Sequence, residues 1–148
     1  MDRELRDTIL GLLSEQKDMS LATIRGDGYP QATMVSYVND VFDIYFGAAT
    51  FSQKAKNIAN CSKVSLTITA PHTTWNDIRG LSVGGRAARV TQGAELLRVQ
   101  DLMRQKFLEL SQLDLSVIGT IAFFRVTPKI ITVLDYSRGI GHSDSVAL

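Results

Sequence analysis

The chain has 148 residues, 45% of them hydrophobic, and its 16 basic and 15 acidic side chains leave a formal charge of +1. That length suits a single compact domain, residues 1–148, with a sizeable core. The near-neutral balance gives no electrostatic footprint for nucleic acid, and the longest mostly apolar run, Val117 to Phe124, is far too short to span a bilayer.

Asp2, Arg3 and Glu4 open the chain with no apolar run behind them, unlike a secretory signal, and Cys61 stands alone. A cytoplasmic protein without an intrachain disulfide is expected. His72 and His142 lie far apart and no cysteines cluster, so no metal site is expected. Leu5, Ile9, Leu12 and Leu13 share one face of an amphipathic helix. Met19 to Ile24 is a short apolar strand, and Gly26-Asp27-Gly28-Tyr29-Pro30 is a turn. Gln31 to Val38 reads as a strand with apolar groups on both faces, hence buried on two sides. Asn39-Asp40 reads as a tight connection to a returning strand, Val41 to Phe46. Met19 to Phe46 is thus a three-stranded antiparallel meander.

Gly47, Ala48 and Ala49 either admit a ligand close to the backbone or merely turn a corner. Phe51 to Asn60 reads as a short helix, with Ser52 as its N-cap and Asn60 as a left-handed end. Ala55, Ile58 and Ala59 form its buried face. Lys54 sits in the first turn, where the helix dipole disfavours a cation. A bound anion would explain it, since free N–H groups, a hydroxyl and an ammonium would converge on one phosphate. An ordinary capped helix with a solvated lysine is the other reading.

Val64 to Thr69 is a strand ended by Pro71, and Ala70 to Arg79 is a polar loop. Trp75 in that loop is either a lid on the core or a wall beside a planar ligand. Gly80 to Val90 is a long strand with a bulge at Gly84-Gly85. Ala94 to Leu110 is a helix with Leu96, Val99, Met103, Phe107 and Leu110 along one stripe. Ser111 to Asp114 is a loop, Val117 to Val126 a strand, Thr127-Pro128 a break, and Ile130 to Leu134 a last strand. Residues 135–148 read as an extended C-terminal arm and not a packed element. The sum is a mainly β chain with helices (α+β), a six- to seven-stranded antiparallel barrel.

The order Asp27-Gly28-Tyr29-Pro30, Ile44-Tyr45-Phe46-Gly47, Ser52-Gln53-Lys54-Ala55-Lys56-Asn57-Ile58, Val64-Ser65-Leu66, Arg79-Gly80-Leu81-Ser82, Gly85-Arg86-Ala87 and Phe124 to Lys129 resembles the pyridoxamine 5'-phosphate oxidase-like family. These are flavin-binding split-barrel proteins. The resemblance implies FMN and a homodimer with two sites at the subunit interface. It implies that Ser52 and Lys54, with Gln53 between them, bind the FMN phosphate. Thr33, Met34, Val35 and Ser36 would run along the isoalloxazine. Gly47 and Ala48 would lie near the ribityl chain and phosphate, and Arg79, Gly80 and Leu81 would approach the ring, with Trp75 as a cover.

The family often carries arginine near Thr33, threonine near Ala48 and arginine at Gln53. True pyridoxamine phosphate oxidases end in a tryptophan- and arginine-containing segment with a histidine between basic residues. This chain ends Tyr136-Ser137-Arg138-Gly139-Ile140-Gly141-His142-Ser143-Asp144, so that substrate is not expected. The expectation is a small FMN-dependent oxidoreductase acting on a small molecule or electron donor, with no nucleic acid or membrane partner. The alternatives are a non-catalytic flavin-binding protein and a deazaflavin-dependent reductase. No acid or base is assigned. His142 reads as a tail histidine.

Overall fold

The computed structural model describes residues 1–112 and 119–148. Helix α1, Arg3–Glu15, starts where the Asp2 carboxylate accepts the Leu5 N–H at 2.8 Å, and it buries Ile9, Leu12 and Leu13. Strand β1, Asp18–Ile24, then forms a hairpin with β2, Pro30–Ser36. Gly28, at φ 88°, makes the turn, which is closed by the Arg25 N–H donating to Tyr29 O at 2.9 Å.

Beyond β2 the chain does not continue as the expected meander. It breaks at Tyr37, which is fully buried and donates its hydroxyl to Leu13 O at 2.8 Å. Gln31 to Val38 is therefore two strands. Asn39-Asp40 is no turn but part of β3, Val38–Asp40, which pairs with β4, Asp43–Ala49. The reversal falls at Val41, which takes φ 54°, and Asn39 supports it by donating its side-chain amide to Val41 O. β4 then pairs with β7, Ile121–Asp135, and not with β2. Phe46 and Phe124 stand opposite each other there, their rings stacked at 5.3 Å.

Helix α2, Gln53–Asn60, leads into β5, Lys63–Thr69, and β6, Arg79–Arg89, comes after a 3-10 turn at Trp75–Asp77. α2 departs from expectation at two points. Asn60 is not left-handed, because Cys61 closes the helix in extended conformation two residues before β5. Ala59 is exposed, and Asn57 takes its place in the buried arc beside Ala55 and Ile58.

The Gly84-Gly85 bulge is present as a register shift against β7. A Cβ on Gly85 would lie 2.5 Å from Thr127 O. Thr127-Pro128 does not break the strand. The chain runs through Pro128, which stands opposite Gly85, and the register shift leaves out Lys129 instead. Helix α3, Gly93–Lys106, is shorter than expected, and Leu108–Gln112 is a 3-10 turn. Val99, Met103 and Phe107 do bury, against Val38, Tyr45 and Val90. Leu113 and Asp114, and the expected strand start at Val117, lie outside the described residues.

The tail is also corrected. Ser143–Ala147 forms β8 and pairs with the second half of β7, so the end of the arm is packed. The sheet order is β2-β1-β5-β6-β7-β4-β3 with β8 on β7, antiparallel throughout. It curls around the apolar face of α1 as a split barrel, the α+β class the strand count implied. Its strands number eight among the described residues.

One register row runs Thr33, Leu21, Leu66, Val83, Ile131, Val146 and faces the core. The opposite face carries the rows Met34, Ser20, Thr67, Ser82, Thr132, Ser145 and Ala32, Ala22, Ser65, Gly84, Ile130, Ala147. None of these twelve outward residues is charged. Met34 is 68% exposed. β2 is thus open on one face in the single chain and not buried on two sides.

Candidate functional site

The first turn of α2 is built as the sequence suggests. Ser52 is in extended conformation and its hydroxyl accepts the Ala55 N–H at 3.3 Å. The N–H groups of Gln53 and Lys54 find no acceptor among the described residues, as the first turn of a helix leaves them. Lys54, half-buried, makes no ion pair with any described residue. Two N–H donors, the Ser52 hydroxyl and Lys54 therefore belong to the same first turn, where the dipole favours an anion.

Gln53 is turned the other way. Its side-chain amide donates to Asn57 Oδ1 at 2.8 Å. Asn57 is fully buried and donates to Thr23 Oγ1 at 2.9 Å and Gln31 Oε1 at 3.1 Å. Thr23 and Gln31 are opposite each other in the β1–β2 ladder. This network was missed from sequence. Its one local signal is the four-residue spacing of Gln53 and Asn57, which puts two amides on one helix face.

The remaining candidates divide into two groups. On β2, Thr33 and Val35 are half-buried on the inward face with Gln31, while Met34 and Ser36 point outward. β2 is an edge strand, so one side of its backbone has no strand partner among the described residues. Gly47 and Ala48 end β4 just before α2. The space a Gly47 side chain would take is filled by Ile121 Cγ2 at 3.1 Å and the Phe123 ring, and Ala48 is in the core.

The second group stands apart. Thr33, Leu21, Leu66 and Val83 lie in one row, so β2 and β6 are three strand spacings apart, roughly 14 Å along the sheet. Gly80 and Leu81 are buried at the start of β6, and a Cβ on Gly80 would meet Ile68 O at 2.6 Å. Arg79 pairs with Asp135 at 3.8 Å and borders an open groove of about 610 Å³ along Glu4, Asp7 and Glu15 of α1. The Ser137 hydroxyl above all, then its N–H and the nearby Arg79 and Arg138, hold the Asp135 carboxyl below its ordinary range. Trp75 is 68% exposed and touches neither core cluster, so it is no lid on the core of its own chain. Asp77 fastens its turn by accepting the N–H groups of Thr73 and Thr74.

His142 Nε2 lies 2.9 Å from Asp144 Oδ2, and Asp144 is 3.9 Å from Arg138. His72 is exposed. No group of three or more metal-ligating side chains stands together among the described residues, and no described helix is long and apolar enough to cross a membrane.

Solved structures repeat this fold. A conserved hypothetical protein from Mycobacterium tuberculosis is 23% identical with a TM-score of 0.78, over 96% of this chain and 90% of that one. A heme binding protein from Mycobacterium smegmatis is 19% identical with a TM-score of 0.77, over 96% of this chain and 56% of that one. HutZ, the heme storage protein from Vibrio cholerae, is 22% identical with a TM-score of 0.67, over 81% and 87%. Identities this low speak to fold alone. No protein of curated function matches the sequence. The family model described as pyridoxamine 5'-phosphate oxidase matches residues 5–135, nearly the whole chain, and the protein therefore belongs to that family.

Proposed function

We propose that the protein binds FMN as a homodimer and acts as a small oxidoreductase. The observation that carries this reading is the first turn of α2, which holds two N–H groups and a Lys54 without partners among the described residues, together with the Ser52 hydroxyl. The residues fit a phosphate monoester there. The free edge of β2 suits the polar rim of a flavin, which needs backbone donors and acceptors. Bound flavin supplies hydride chemistry, while the chain orients the ring and shields it from water.

Two features support a dimer. The candidate ring contacts on β2 and on β6 do not meet within one chain, so a second copy is needed to bring them together. The uncharged outward rows are a surface of the kind that pairs, since charge is depleted at the centre of interfaces. Cytoplasmic residence belongs to the same reading.

A second reading is heme binding without turnover. It is favoured by the His142–Asp144 pair, because a metal-ligating histidine is commonly oriented by a carboxylate on its other nitrogen. The M. smegmatis and V. cholerae neighbours are named for heme.

One experiment separates the two. The purified chain is loaded with FMN, with deazaflavin or with hemin, then desalted, and its visible spectrum recorded. A retained flavin band that bleaches with a nicotinamide donor faster than free FMN upholds the oxidoreductase. A flavin band without turnover reduces it to a flavin-binding protein. Retention of the deazaflavin alone changes the cofactor, and a Soret band alone replaces the reading with the heme one.

A further inference from the structure

We infer that Asn57 is a positioning residue, locking the phosphate-binding end of α2 to the strand that carries the ring. This rests on the FMN reading of the site. Asn57 is fully buried, and its side chain makes three hydrogen bonds, at 2.8, 2.9 and 3.1 Å. A buried amide is tolerated only when it is satisfied in this way, and an apolar side chain would fill the site at lower cost. The amide instead joins three elements. Gln53 is the first residue of α2, Thr23 is on β1, and Gln31 is on β2, two residues from Thr33 on the same face.

The network therefore ties together the two ends of one ligand site. Helix α2 presents the anion donors, and β2 presents the ring edge. A ligand with a phosphate at one end and a ring at the other gains from both only if their separation is held. The network also explains Gln53. Its amide is committed to Asn57, and Lys54 is the cation nearest the Ser52 cap. Gln53 serves the geometry of the cradle and not its charge.

The test compares FMN with riboflavin, which has the ring but no phosphate, by flavin fluorescence titration. The proteins are the full-length wild type, Asn57→Leu and Gln31→Met, the last cutting the link on a half-exposed strand that tolerates change. Wild type is expected to prefer FMN, and both variants to lose about tenfold of that preference, with riboflavin affinity falling less. Thermal melts are run on the same samples. A lower melting temperature with an unchanged FMN-to-riboflavin ratio in a folded variant would make the network merely structural and overturn the inference. If Asn57→Leu does not fold, Gln31→Met decides alone. A wild type without preference for FMN overturns the anion reading of α2, and the inference falls with it.

Discussion

Lys54 and Lys106 are two lysines in opposite situations. Lys54 is half-buried at a helix N-terminus with no ion-pair partner among the described residues. Lys54→Ala should weaken FMN binding by about 1.5–3 kcal/mol, the range of a hydrogen bond to a charged group. Fluorescence titration reads it, and unchanged affinity would remove Lys54 from the phosphate site. Lys106 lies over the Tyr37 ring, 3.9 Å from its centroid, and burial pulls its ammonium down to about 8. Its ordinary value is 10.5, so in this window the unfolded chain still holds a proton that the folded chain has released. Stability must therefore rise with pH from 8 until about pH 10. Beyond that the Tyr45 phenol, raised to about 12 by burial and Glu95, reverses the trend, because it ionises earlier in the unfolded chain. Lys106→Met should flatten the rise. Urea unfolding of both proteins at about pH 7.5 and about pH 9.5 checks this.

Among the elements, β7 does the most. Its first half pairs with β4, its second half with β8, and β6 runs beside it from Phe124 to Asp135. The bulge at Gly84-Gly85 lets it pass Pro128 without losing either partner. Gly85→Ala would put a Cβ 2.5 Å from Thr127 O, a backbone atom with little freedom to yield. That variant should lose about 1–3 kcal/mol of stability, as overpacked sites do, with the loss measured by chemical unfolding. A cost near zero would mean that the two strands can separate locally at the bulge.

The molecule as a whole is an open sheet with one face on the core and, on the other, two uncharged rows turned toward the outside, bordered by Asp18, Lys63 and Arg86. Thr67 is near the middle of that face and exposed. Thr67→Glu should leave the fold of one chain intact, since the new carboxylate faces water in a monomer. In a dimer sealed by this face it would be buried unpaired, which costs far more than such an interface tolerates. Sedimentation velocity should then find a monomer where the wild type is a dimer, with FMN affinity lost. A variant that remains dimeric would place the interface elsewhere.

Local signals in the sequence reach a few residues, and what they specified is local. Asp2 capping α1, the Gly28 turn, the Ser52 cap and the glycine bulge each depend on neighbours in the chain or on backbone freedom. The strand and turn signals pointed to an antiparallel barrel, and the resemblance to the pyridoxamine 5'-phosphate oxidase-like family made it a split barrel. Long-range pairing was not legible, because nothing in β4 names its partner. Only the folded sheet sets β4 against β7, breaks the chain at Tyr37 so that Val38 can join the α3 cluster, and draws Ser143–Ala147 onto β7. The candidate site divides in the same way. The anion donors of α2 were readable because a helix end makes them within one turn. The separation of β2 from β6 was not, nor was the commitment of Gln53 to Asn57. The first is a distance across four strands, and the second depends on a buried amide finding Thr23 and Gln31 on a hairpin about thirty residues earlier.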